Sequence, residues 1–194
     1  DEHLPGGGWP PGTITEILSD RHGVGELRLV MPTVARITQT GRSAVWVAPP
    51  WIPYAPALER HGVELSRVIW VGGANAEATG AGRQRTTTAA VPWPEYLWAA
   101  EQALRQSGGG VVMLWMPEKP TQRSKGLDPA RVLRRLQIAA EAGGSWGVVF
   151  RASSAACHAS PAAIRLLLEA SPEGTGVRIL KCRGRAPSAR VMTL

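Results

Sequence analysis

The chain is short of several things, and each shortage narrows its function. It has two cysteines in 194 residues, Cys157 and Cys182, in no C-x-x-C spacing. That argues against a disulfide framework or a zinc site, leaves both thiols as small buried hydrophobes, and makes a reducing cytoplasm the expected location. No apolar run approaches the roughly 18 residues of a membrane span, and no secretory leader is visible. Acidic residues are outnumbered, 15 Asp+Glu against 22 Lys+Arg, for a net charge of +7. Nearly all of the positive charge is arginine, which suits phosphate or carboxylate partners. No metal or cofactor is expected. The chain also begins without Met, inside a turn-rich stretch, and is expected to be the core of a longer protein.

What is present fits one α/β domain, since 44% hydrophobic residues over this length is enough for a single core. Leu4 to Pro11 is a Gly/Pro turn segment with Trp9 beside the prolines. Thr13 to Leu18 reads as a strand, Ser19 to Val24 as a loop, and Gly25 opens a helix with apolar residues at Leu27, Val30, Met31, Val34 and Ile37. Pro32 is placed to kink that helix. Ser43 to Ala48 is a short strand closed by Pro49-Pro50, Tyr54 to His61 a short helix, and Arg67 to Gly72 a third apolar strand. Ala74 to Pro92 has no periodicity and reads as a long loop that divides the sheet into two halves.

Trp93 to Ser107 is an amphipathic helix whose spacing is given by Leu97, Trp98, Glu101 and Leu104, and Val111 to Met116 is a fully apolar strand. Lys119 to Lys125 is a basic loop. Asp128-Pro129 caps a helix running to Ala142, with Arg131, Arg134 and Arg135 on its outer side. Trp146 to Arg151 is the next strand, followed by a loop of small residues to Pro161. Ala163 to Ala170, Gly176 to Arg183 and Ser188 to Thr193 read as consecutive strands forming an antiparallel extension; Ala163 to Glu169 fits a helix as well, and its position favours strand. Strands alternating with helices predict a mostly parallel sheet with covered faces.

Strand, glycine-bearing loop, helix is the layout of a phosphate-binding loop, here Ser19, Gly23, Gly25 and Glu26. A working loop of this kind needs backbone N–H groups around the phosphates, a Lys for the β/γ oxygens and a Ser/Thr hydroxyl for Mg²⁺. The lysine is missing. Glu26 would set a negative charge where the Lys should neutralise phosphate, a repulsion of roughly 4 kcal/mol per charge pair at ~4 Å and an effective dielectric of ~20. Leu27 has no ligand for a metal, and Leu114, Trp115, Met116 and Pro117 end the later strand without a carboxylate. Two readings stand: a structural turn that never bound nucleotide, or a degenerate descendant of a nucleotide loop.

With these elements in place the chain resembles the core ATPase domain of RecA, and more closely the ImuA family of RecA-related proteins from bacterial mutagenesis cassettes. The most specific stretches are Leu4 to Leu18, Val47 to Leu58, Leu97 to Leu104 and Leu133 to Gly143. The resemblance implies a RecA-like core with a central, mostly parallel sheet flanked by helices and a C-terminal antiparallel extension. It also implies four vacated functional slots: the loop Lys on Glu26 or Gly25, the catalytic Glu near Pro49, the magnesium-binding Asp near Trp115 or Met116, and the nucleotide-relay Gln on Arg151. The expectation is a non-enzyme, a pseudo-ATPase.

The same resemblance implies an accessory factor of SOS-induced translesion synthesis. It would act through protein contacts with ImuB and an error-prone polymerase III alpha-type subunit, with RecA as a further partner. A cell-division inhibitor like SulA is the alternative, and an ATPase with an unrecognised site is a third reading. Weak, non-specific DNA binding is expected from Arg83, Arg85, Lys119, Arg123 and Lys125, on loops where RecA-like proteins meet DNA. Eight tryptophans are many for this length. Trp46, Trp70, Trp115 and Trp146 fall in strands and read as core. Trp51, Trp93 and Trp98 fall near element ends, so a protein-binding patch is expected at Trp51, Tyr54, Arg131, Arg134 and Arg135. The alternative is that Trp51 and Tyr54 only cover the sheet end while the arginines are solvated.

Overall fold

The computed structural model describes residues 4, 7–72, 93–117, 128–171, 174–184 and 191–193. Strand β1 (Ile14–Leu18) is buried at every position. The reason is its place in the sheet: it lies between β5 (Trp146–Arg151) and β6 (Ile164–Ser171), parallel to both. The other strands are β2 (Ala44–Val47), β3 (Val68–Val71), β4 (Val111–Trp115), β7 (Gly174–Cys182) and β8 (Val191–Thr193). They form one sheet in the order β3-β2-β4-β5-β1-β6-β7-β8. The pairs up to β6 are parallel, and β6–β7 and β7–β8 are antiparallel. The fold is therefore α/β, a mostly parallel sheet with an antiparallel end, as expected.

Among the described residues four α-helices cover it: α1 (Glu26–Gln39), α2 (Ala55–Arg60), α3 (Trp93–Arg105) and α4 (Pro129–Gly143). The chain runs β1→β2→β3 toward one edge and then β3→β4→β5 back. Right-handed crossovers therefore put α1 and α2 on one face and α3 and α4 on the other. Side chains divide accordingly. Ile17, Trp46, Met113, Trp115, Val148 and Phe150 pack with α1 and with Leu58 of α2. Val45, Val112, Leu114 and Val149 pack with Leu97, Leu104, Leu133 and Leu136 of α3 and α4. Each fully buried Leu contributes about 1.5–3 kcal/mol.

Helix α4 positions β1 directly. Asp128 caps it by accepting from Ala130 N at 3.0 Å, and Gly144 ends it at φ 65°. From its buried side Gln137 Oε1 accepts from Ile14 N at 3.0 Å. Helices α3 and α4 meet at backbone distance, because a Cβ at Gly143 would lie 2.0 Å from Leu104 O.

Several expectations are corrected here. The sheet is not split into halves, since β2 pairs directly with β4; residues 74–92 lie outside the described residues. Pro32 does not interrupt α1, which is continuous from Glu26 to Gln39. In α3 it is Tyr96, Leu97, Ala100, Glu101 and Leu104 that turn inward, while Trp98 faces out. Trp46, Trp115 and Trp146 are core, but Trp70 is 45% exposed, because β3 is the sheet edge. Cys182 is buried as expected and Cys157 is exposed. The stretch expected at 163–170 is strand over Ile164–Ser171, as its position suggested.

Candidate functional site

The loop between β1 and α1 lies at the carboxyl end of the central strand, where open α/β sheets hold their ligands. Its backbone is shaped by Gly23 at φ 79° and Gly25 at φ 99°, both left-handed, so a Cβ at either would be strained. Gly25 is the N-cap residue of α1, and no side chain caps the helix from there. The loop is tied down on all sides. Ser19 N donates to Arg151 O at 3.0 Å, and Ser19 Oγ accepts from Arg21 N at 3.2 Å. Asp20 Oδ1 accepts from Ser153 N at 3.3 Å and from Ser153 Oγ. Thr175 of β7 donates to Val24 O.

Glu26, the first residue of α1, folds back into this loop. It is 6% exposed, and its Oε1 accepts from Gly23 N at 2.8 Å. The carboxylate thus sits on one loop N–H at the positive end of the α1 dipole, the kind of position that favours an anion. Its second oxygen, Oε2, is buried with no hydrogen-bond partner. The expectation concerned the charge of Glu26; the structure adds that its side chain turns back onto Gly23 of the loop.

At the carboxyl end of β4, Trp115 stacks between Trp46 and Phe150, with ring centroids 5.5 Å and 4.4 Å away. Both indole Nε1 atoms in this row are buried without an acceptor. A stacked aromatic row supplies no metal ligand. Among the described residues no group of three or more His, Cys, Asp or Glu is placed to hold a metal ion.

Beside the loop lies a charged cluster that sequence reasoning missed. Glu16, in the middle of β1, is fully buried. Its Oε1 accepts from Arg151 Nη1 at 2.5 Å and its Oε2 from Arg165 Nε at 2.7 Å. Arg165 uses the rest of its guanidinium on the segment after β5, donating to Ala155 O at 2.7 Å and His158 O at 3.0 Å. That segment contains a 3-10 turn, Ser153–Cys157. Arg151, the residue assigned to the vacated relay slot, is thus one arm of a buried ion triad. The signal available was an acidic residue inside an otherwise apolar strand, with arginines in two later strands.

The expected partner patch divides. Trp51, 54% exposed, meets His22 of the loop edge-on at 5.7 Å, and Tyr54 is 70% exposed just ahead of α2. Arg131, Arg134 and Arg135 are on α4, which packs on the sheet face opposite the one that Leu58 of α2 packs against. Arg135 is paired with Glu101 of α3 at 2.7 Å and Arg131 with Asp128 at 3.5 Å, whereas Arg134 is exposed. Arg83, Arg85, Lys119, Arg123 and Lys125 lie outside the described residues. A cavity of about 90 Å³ lined by Pro10, Thr13, Ala163, Ile164 and Arg183 lies at the amino end of β1, away from this site. Among the described residues no helix is long and apolar enough to cross a membrane. No protein-family model matches the chain, and none of the curated proteins compared with it matches.

Proposed function

We propose that this chain is a RecA-like scaffold that has left nucleotide chemistry and works by binding other proteins, as an accessory factor of damage-induced translesion synthesis. Its partners in this reading are ImuB, the error-prone polymerase and RecA. The observation that carries the non-catalytic part is the Glu26 carboxylate on Gly23 N–H. An incoming phosphate would have to displace a buried, like-charged group at the positive helix end, and no lysine compensates for it. The aromatic row at the end of β4 supports the same reading, since phosphoryl transfer rests on cations and metal ligands placed around the phosphates. The pathway assignment rests on the sequence resemblance.

Two measurements test it. Titration calorimetry with Mg–ATP should give no saturable heat in the micromolar range; saturable binding at this loop would overturn the non-catalytic reading. Co-purification against ImuB, the polymerase subunit, RecA and the tubulin-like division protein should retain the first group, and capture of the division protein alone would replace this reading with a SulA-like inhibitor.

A further inference from the structure

The stretch that follows β2 is built to hold aromatic side chains out in solvent. Ala48 leaves the strand at φ 50°, the one left-handed residue other than glycine among those described. An alanine adopts that conformation when its surroundings impose it, and such outliers collect at functional positions. Here Ala48 N is pinned to Val71 O at 3.1 Å. Pro49, Pro50, Pro53 and Pro56 then stiffen the chain, so little freedom is left to lose on binding. Trp51, Ile52 and Tyr54 stand out of this rail 54%, 63% and 70% exposed.

The charge beside this rail is mostly positive on the side of the β1–α1 loop, while Glu59 of α2 is exposed beyond it. On the β1–α1 loop and the first turn of α1, Arg21, His22 and Arg28 are exposed, and the His22 ring meets Trp51 edge-on. Of the carboxylates of the same segment, Glu26 is buried in the loop and Asp20, though exposed, is held by Ser153. Flat rings beside cations match unstacked bases joined by phosphates. Trp51 and Tyr54 are three residues apart, at most about 10 Å along the chain, or roughly three base spacings of about 3.4 Å.

We infer that Trp51 and Tyr54, with Arg21, His22 and Arg28, form a stacking platform for single-stranded nucleic acid. It uses none of the basic residues at 83–85 and 119–125, and it does not rest on the accessory-factor reading. A surface for an apolar protein segment would use the same rings but would gain nothing from the cations. Duplex DNA would offer the phosphates while hiding the faces of its bases.

The test is fluorescence anisotropy of a labelled oligothymidylate of about 16 nucleotides at low salt, with the full chain. The wild type should bind and should prefer the single strand to a duplex of equal length. The affinity should fall with salt at a log–log slope of roughly −0.7 per phosphate contact. Trp51→Ala with Tyr54→Ala should weaken binding about tenfold or more, whereas Trp51→Phe with Tyr54→Phe should keep most of it. Arg21→Gln with Arg28→Gln should flatten the salt slope. The inference is overturned if the wild type binds no oligonucleotide at low salt, or if the alanine pair binds as well as the phenylalanine pair at equal folded fraction. It is equally overturned if the alanine pair keeps the oligonucleotide but loses ImuB or RecA, which would make the rail a protein-docking surface.

Discussion

Glu16 and Glu26 belong to the same strand–loop–helix unit, and both are buried, in opposite ways. Glu16 has both oxygens on arginines, Arg151 at 2.5 Å and Arg165 at 2.7 Å. Glu26 has one oxygen on a backbone N–H and the other on nothing. A buried carboxylate with two charged partners cross-links what it touches: Glu16 joins β1 to β5 and β6 and, through Arg165, to the 3-10 turn. A half-satisfied carboxylate cross-links nothing distant, and the α1 dipole with one loop N–H is its whole compensation. The first ties three strands together, and the second serves only its own loop and helix end.

The largest expected effect follows from the first. Glu16→Ala leaves Arg165 and Arg151 with uncompensated buried charge and should cost about 3–5 kcal/mol in urea denaturation. The triple change Glu16→Leu, Arg151→Met, Arg165→Leu removes all three charges together and should recover a large part of that loss. The carbonyls of Ala155 and His158, left without their donor, should hold back the rest. A loss below about 0.5 kcal/mol for the single change, the size of an ordinary surface substitution, would break the contrast between the two glutamates.

Glu26 should matter less. Glu26→Ala removes the acceptor of Gly23 N–H and a favourable helix-end charge, for an expected cost of about 1–2 kcal/mol. Glu26→Gln keeps an acceptor for that N–H, and its amide places a neutral group where Oε2 has no partner, so its cost should stay under about 1 kcal/mol. Neither change, nor Glu26→Lys, should create ATP hydrolysis, because the end of β4 offers Mg²⁺ only Trp115 and Met116. A phosphate-release assay checks this; turnover by Glu26→Lys would mean that the lysine alone was missing.

The contrast also marks where local sequence stops being informative. The strand, the glycines of the loop and the helix start were all legible, because hydrophobic period and turn chemistry are local. The direction of the Glu26 side chain was not, since it depends on how Gly23 and Gly25 bend the loop. The role of Glu16 inside its strand was not legible either, because its partners are 135 and 149 residues away. In the same way β3 read as a buried apolar strand. Only the strand order makes it an edge and leaves Ile69 and Trp70 half exposed. Which face α2 and α4 each cover was equally illegible, because it is set by crossover direction and not by their own residues.

The smallest expected effect is a titration that reports on one glutamate and not the other. Lys181 of β7 donates to Ser160 O at 2.8 Å. Burial, then the charges of Arg183 and Arg165, hold its pKa below the ordinary 10.5, while Glu16 pulls it upward. A lysine whose pKa is lowered in the folded state binds fewer protons there than in the unfolded chain. Stability should therefore rise with pH across the window between the lowered value and 10.5, and below that window the penalty is constant. Lys181→Met should remove that part of the slope. The chain has three lysines, Lys119, Lys125 and Lys181, so ¹³C-labelled lysine resolves them by NMR. Arg183→Gln, at an exposed position, should raise the Lys181 pKa, Glu16→Gln should lower it in whatever fraction folds, and Glu26→Gln should leave it in place. If Glu26→Gln moves Lys181 as far as Arg183→Gln does, the two carboxylates share one electrostatic cluster and the separation drawn between them fails.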